Sequence, residues 1–109
     1  MTTPFARWQS LIQVAPSDED VIALVRRYMG TLTETEVLRV PQDCRPTLPM
    51  TRDEVSGWAV QMVRAEMKFA GDPTAGALLH QMAVVFSEAN TRFAQLAQEA
   101  RMLGPSTDS

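Results

Sequence analysis

The sequence predicts an all-α fold: a small helical bundle built on a long antiparallel helical hairpin, with two or three shorter helices ahead of it. Three observations lead there. From residue 79 onward, Leu79, Met82, Phe86, Ala89, Phe93, Leu96, Ala100 and Leu103 recur in alternating steps of three and four, the 3.5-residue repeat of a helix lying lengthwise on another. Side chains that cap helix N-termini stand ahead of several apolar-periodic segments. No segment alternates apolar and polar residues as a half-buried strand does.

The elements follow in order. Thr3 and Pro4 read as an N-cap and a first helical residue, and Phe5, Trp8, Leu11 and Ile12 share a face, so a first helix covers about 4–14 and Ala15-Pro16 ends it. Ser17 caps a second helix over 18–30 whose first turn carries Asp18, Glu19 and Asp20 at the positive end of the dipole. Its stripe is Val21, Leu24, Val25, Tyr28, Met29 and Leu32. Thr33 with Glu36 reads as a capping box for a short helix over 34–39, which Pro41 stops. Prolines 41, 46 and 49 make the stretch from Val40 to Met50 a stiff, extended connection with little room for regular structure. Thr51 with Glu54 reads as a second capping box for a helix over 52–70, with Gly71 placed to terminate it. Asp72-Pro73 then restarts a helix as N-cap and first residue. A connection that short forces an antiparallel hairpin. The last helix covers 73–103 and rises about 45 Å at 1.5 Å per residue. Gly104-Pro105 ends it, and the polar tail 104–109 is expected to fray.

Composition narrows the class further. At 109 residues the chain reads as one domain with enough length for a core without metal or disulfides. Its net charge of −3 gives no overall field favouring nucleic acid or an anionic membrane. The single cysteine, Cys44, forms no internal disulfide and supplies no zinc set, which suits a reducing, cytoplasmic setting. The N-terminus shows no signal-peptide pattern, and no apolar run is long enough to span a bilayer. Nine arginines stand against one lysine, a usage in keeping with a GC-rich bacterial genome.

In the long helix the stripe is wide at first, with Leu78, Ala83 and Val85 beside the seam. It narrows further on, where Asn90, Arg92 and Glu99 flank it. A wide stripe suits burial among several helices, and a narrow one a single partner helix. A domain of this size has a radius of gyration of about 13 Å, so the distal half of the helix is expected to overhang and pair with a second copy. The interface residues of that homodimer are the eight seam positions, Leu79 through Leu103. The competing arrangement is an elongated monomer whose first helices cover the distal half.

Candidate chemistry is sparse. In the helix over 52–70, Val55, Trp58, Ala59, Met62, Val63, Phe69 and Ala70 share a face, and Glu66 falls near its middle. A carboxylate buried there needs a partner or water, which makes Glu66 a possible buried acid around which a small-ligand site or an enzyme would form. The competing reading is that the apolar face runs out at this turn or that an arginine pairs with it. His80, the only histidine, lies opposite the seam on the outward face, and sequence spacing brings it no acid or nucleophile. Metal sites are not expected: one histidine excludes multi-histidine sets, and paired Glu-x-x-His motifs are missing. No cofactor fingerprint and no nucleophile elbow occurs. Cys44 beside Arg45 is read as a half-buried loop residue rather than a reactive thiol. The methionines and Trp8 and Trp58 read as packing residues.

The expected function is therefore that of a non-enzymatic protein-interaction or regulatory module that self-associates through its long last helix. The alternative is a nucleic-acid-binding regulator, which requires Arg26, Arg27, Arg39, Arg64 and Lys68 to converge on one surface. Glu34 and Glu36, where a recognition helix would present cations to phosphate, weigh against it.

Overall fold

The computed structural model describes residues 4–45, 47 and 51–103, with the backbone alone for residues 4, 5 and 103. These residues form five α-helices and one short 3-10 turn, with no strand among them. The helices are α1 (Pro4–Gln13), α2 (Asp18–Gly30), α3 (Glu34–Leu38), α4 (Arg52–Lys68) and α5 (Gly76–Leu103). The all-α class and the helical hairpin stand as the sequence predicts them. The Thr3 cap, the Phe5 side chain, prolines 46 and 49, the Gly104-Pro105 stop and the tail lie outside the described residues.

Local chemistry accounts for the helix starts. Ser17 Oγ accepts from the Asp20 amide at 3.2 Å and donates to the Asp20 carboxylate at 2.8 Å. At α3 the capping box is complete: the Thr33 hydroxyl accepts from the Glu36 amide at 3.1 Å, and the Glu36 carboxylate accepts from the Thr33 amide at 3.0 Å. At α4 only half of the expected box forms. Thr51 Oγ1 accepts from the Glu54 amide, while the Glu54 carboxylate takes the Thr51 hydroxyl at 3.2 Å rather than the backbone amide.

Beyond one-residue shifts at the ends of α1 and α3, the structure departs from the sequence expectation in three places. The helix expected over 52–70 ends at Lys68, with Phe69 as its cap at φ −109° and ψ 23°. Gly71 does not supply a left-handed stop, since none of the described glycines has positive φ. Its neighbours explain this: Asp72 precedes a proline and is steered away from helical φ/ψ, so the chain turns within Phe69–Asp72, closed by the Asp72 amide on Phe69 O at 2.9 Å. Asp72 does cap the next helix, accepting from the Thr74 and Ala75 amides at 2.7 and 3.0 Å. The turn after it is irregular, so α5 begins at Gly76 rather than residue 73. Last, the connection expected to be extended contains a 3-10 turn, Gln42–Cys44, started by the Cys44 amide on Pro41 O at 2.9 Å.

Helix α5 is the spine. Its 28 residues span about 42 Å, and α1, α2 and α4 all pack on it. Helix α4 runs antiparallel to it. Ser56 Oγ donates to Asn90 Oδ1 at 2.8 Å, and Glu66 meets His80 further along. Both contacts fit one register, which sets Val63 level with Ala83 and Ala59 level with Ser87. Helix α1 and the turn after it cover the middle of α5: the Gln9 and Gln13 amides donate to Glu88 Oε1 at 2.9 and 3.2 Å, and Arg92 Nε donates to Ala15 O at 2.8 Å. The radius of gyration of 15.2 Å exceeds the 13 Å or so of a rounder domain, so the body is elongated along α5.

Ile12, Val21, Val25, Val55, Met62, Leu79, Val85 and Phe86 are fully buried and form one core with Tyr28, Val40, Ala59 and Phe93. At about 1.5–3 kcal/mol for each large side chain removed from water, this cluster is the main term holding the helices together.

Candidate functional site

The long-helix seam packs within the chain, where the repeat predicts a contact between copies. Leu79, Met82, Phe86, Ala89 and Phe93 are buried inside the chain, at 0–3 % exposure. They face α1, α2 and α4 and are closed to a second molecule. Leu96 is half-buried against the same core, Ala100 is exposed, and the Leu103 side chain lies outside the described residues. Within the chain, the first helices cover α5 as far as Phe93, as the competing arrangement has it. A 3.5-residue repeat arises equally from neighbours in the same chain and from neighbours in another.

Among the described residues, one exposed apolar stripe lies on α4, while Leu11, Val14, Leu38 and Met102 are exposed elsewhere. Val60, Val63 and Met67 are 50 %, 41 % and 75 % exposed and stand at steps of three and four on one face. Ser56 continues the spacing on the N-terminal side with a small side chain. The register of the hairpin places this stripe beside the outward side of α5, which carries His80, Val84 and Ser87. The helical wheel of the sequence puts Val63 on the buried face. The core face of α4 is instead Val55, Ala59, Met62 and Ala65, displaced round the helix because α5 lies to one side of it. A second stripe offset from the first is present in the sequence; which of the two faces inward depends on where the neighbours sit.

Glu66 and His80 meet on this open side, with Oε1 and Nδ1 2.6 Å apart. A carboxylate only accepts, so Nδ1 donates. The pair bridges α4 and α5, with the two side chains 33 % and 56 % exposed. Glu66 is therefore not the buried acid that its place on the helical wheel suggests. The apolar face turns away at this point, and histidine rather than arginine is the partner. The acid that His80 lacks along the sequence is supplied by the fold.

Among the described residues, three clefts lie away from this pair. One of about 60 Å³ is apolar, between Met29, Leu32, Val37, Val40, Leu78 and Met82, with Arg45 at its edge. The Arg45 guanidinium donates through Nε to Val40 O at 2.8 Å, tying the connection down and not aimed at the neighbouring thiol. Cys44 is partly buried against the core. A second cleft, about 290 Å³, lies between α1 and α2 around Leu11, Val14 and Leu24. A third, about 410 Å³, is a shallow depression beside Asp43, Glu54 and Trp58. Glu66 lines none of the three. Among the described residues no group of three or more His, Cys, Asp or Glu side chains is placed to hold a metal ion.

Tyr28 is the one buried polar side chain without a hydrogen-bond partner among the described residues. Burial pushes its phenol well above the ordinary range, and the charge of Glu36 adds to the effect. Its ring packs edge-on to Trp8 at 6.3 Å, and that tryptophan carries Arg27 over its face at 5.7 Å.

The basic residues that a nucleic-acid surface would need, Arg26, Arg27, Arg39, Arg64 and Lys68, are all exposed but spread over α2, the end of α3 and α4. Lys68 lies over its neighbour Phe69 at 5.5 Å. Fold and surface together define an all-α helical-hairpin domain with an open apolar stripe on one of its two long helices. No protein-family model, curated protein or solved structure matches the chain.

Proposed function

We propose that this protein is a non-enzymatic protein-contact module whose contact surface is the open face of α4. The observation that carries the reading is the row Val60, Val63 and Met67, three large apolar side chains in water at helical spacing. Single exposed apolar residues are ordinary, but a contiguous patch of a few hundred Å² is commonly functional on a monomer. Keeping it exposed gives up burial worth about 25 cal/mol per Å², and a partner would recover that. The face sits on a rigid element, held by the core below and by the Glu66–His80 and Ser56–Asn90 bridges beside it. The expected cytoplasmic setting belongs to the same proposal. Among the described residues no helix is long and apolar enough to cross a membrane.

A photoreactive amino acid placed at position 63, and separately at the exposed position 98 near the end of α5, tests this in the living source cell. The reading expects a discrete cross-linked species from position 63 and none from position 98. A species from position 98 alone would assign contact to the overhanging end of α5 and overturn the reading.

A further inference from the structure

We propose that the apolar cleft with Arg45 at its edge is a binding site for a short aliphatic monocarboxylate, its hydrocarbon tail in the cleft and its carboxylate on the guanidinium. The site is separate from the α4 face, and no residue of α4 lines it.

The cleft is enclosed by side chains that come from four places in the chain. Met29 and Leu32 stand at the end of α2, Val37 on α3, Val40 just after it, and Leu78 and Met82 on α5. Val40, Leu78 and Met82 are buried and form the floor, while Met29, Leu32 and Val37 are half-buried and form the rim. These six side chains offer water no strong hydrogen bond, so an aliphatic group is the fitting occupant. The space is about 60 Å³. An apolar cavity of about 150 Å³ takes a benzene ring, so this one takes a tail of about two to four carbons.

Arg45 supplies the other half of the site. Its Nε donates to Val40 O at 2.8 Å, which uses one N–H and fixes the guanidinium plane at the mouth of the cleft. Among the described residues its Nη groups have no partner. The acids nearest to it along the chain are engaged elsewhere. Glu36 is held in the capping box with Thr33 and balances Arg39. Asp43 lies at the separate depression beside Glu54 and Trp58. One unneutralised guanidinium matches one negative charge, and a fixed fork of N–H groups suits a carboxylate better than a point charge would. An apolar pocket with one oriented polar group at its mouth is the usual form of a small-molecule site. The ligand is accordingly a monoacid of about three to five carbons, and so small a molecule binds with a Kd of about 1 mM.

Isobutyrate titrated into the full chain with isotope-labelled methionine methyls, at neutral pH and constant ionic strength, tests the proposal by NMR. Expected is a saturable shift of the Met29 and Met82 signals and none for Met67 and Met102, which are exposed away from the cleft. Isobutyramide, with the same tail and no charge, binds about tenfold more weakly, the loss of one charge-assisted contact. Arg45→Gln brings the acid down to the level of the amide. Val37→Phe, which fills the cleft from its rim, abolishes the shift with helical circular dichroism unchanged. Absence of a saturable shift overturns the proposal, as does movement of all four methionine signals together. Equal affinity for acid and amide in the parent chain removes the role of the guanidinium and with it the carboxylate. Binding that survives Val37→Phe in a folded chain places the ligand elsewhere and overturns the site.

Discussion

Glu66 Oε1 and His80 Nδ1, fourteen residues apart in the chain, lie 2.6 Å apart across the α4–α5 hairpin. The contact exists because a two-helix hairpin with a short connection brings one side chain near the end of α4 to one near the start of α5. It is a bridge at the surface, with both partners in contact with solvent, so its energy is that of a solvent-exposed contact rather than of a dry interior. A double-mutant cycle of Glu66→Ala and His80→Ala, followed by thermal unfolding, is expected to give a coupling of about 0.2–1 kcal/mol. A coupling of several kcal/mol would mean the pair is sealed from water.

The seam on α5 behaves as core. Phe93 is 3 % exposed and sits where α1 crosses α5, so Phe93→Asp places a charge among apolar groups and is expected to unfold the chain at room temperature. Phe86→Ala, at the fully buried centre, is expected to cost about 3–5 kcal/mol, the range for deleting a buried aromatic ring. That is a large share of the roughly 5–15 kcal/mol that holds a domain of this kind. Circular dichroism melts measure both. A folded Phe93→Asp protein would show that the distal half of α5 is not packed as described.

Two helical glycines are expected to respond differently to alanine. Gly57 is exposed within α4, and a Cβ there meets nothing within 4 Å. Gly57→Ala should therefore stabilise by about 0.8–1 kcal/mol through helix propensity and a stiffer unfolded chain. Gly76 opens α5 directly against the end of α4, where a Cβ would come 3.2 Å from Phe69 O. The backbone carbonyl has to give way, so Gly76→Ala should show none of that gain. Denaturant unfolding of the two variants side by side is the check; equal stabilisation would mean the hairpin end is looser than its geometry.

Acid should weaken the fold through its caps. Hydrogen bonds from the Ala75 and Thr74 amides hold the Asp72 carboxyl below its ordinary range. Those from the Thr33 amide and hydroxyl do the same for Glu36. With the folded-state values depressed, the unfolded chain takes up protons first. The stabilisation is fully present above the ordinary carboxylate range and is lost as pH falls through the folded-state values. Asp72→Asn keeps an acceptor oxygen and removes the titration, so its melting temperature should fall less steeply with acid than that of the parent. Parallel pH profiles would show that the cap does not contribute.

Much of the fold is legible in the sequence because its signals are local. Ser17, Thr33 and Thr51 mark helix starts whatever surrounds them, and Pro41 and Pro73 limit backbone angles by themselves. Gly71 misleads because glycine permits a left-handed stop without requiring one, and Asp72-Pro73 imposes a different turn. The Gln42–Cys44 turn is too short to leave a period in the sequence. The site is less legible for a different reason. The α5 repeat and the Val60, Val63, Met67 row are both periodic apolar stripes, and which is core depends on where α1 and α2 settle. Glu66 on an apolar wheel looks buried only because the wheel omits the direction of α5.

Hydrogen exchange of the purified chain with and without source-cell extract, read by mass spectrometry, tests the central claim most directly. If the open face of α4 is the contact surface, amides in 56–68 gain protection in the extract while those in 96–102 of α5 do not. Gain confined to 96–102, or none anywhere, would contradict it.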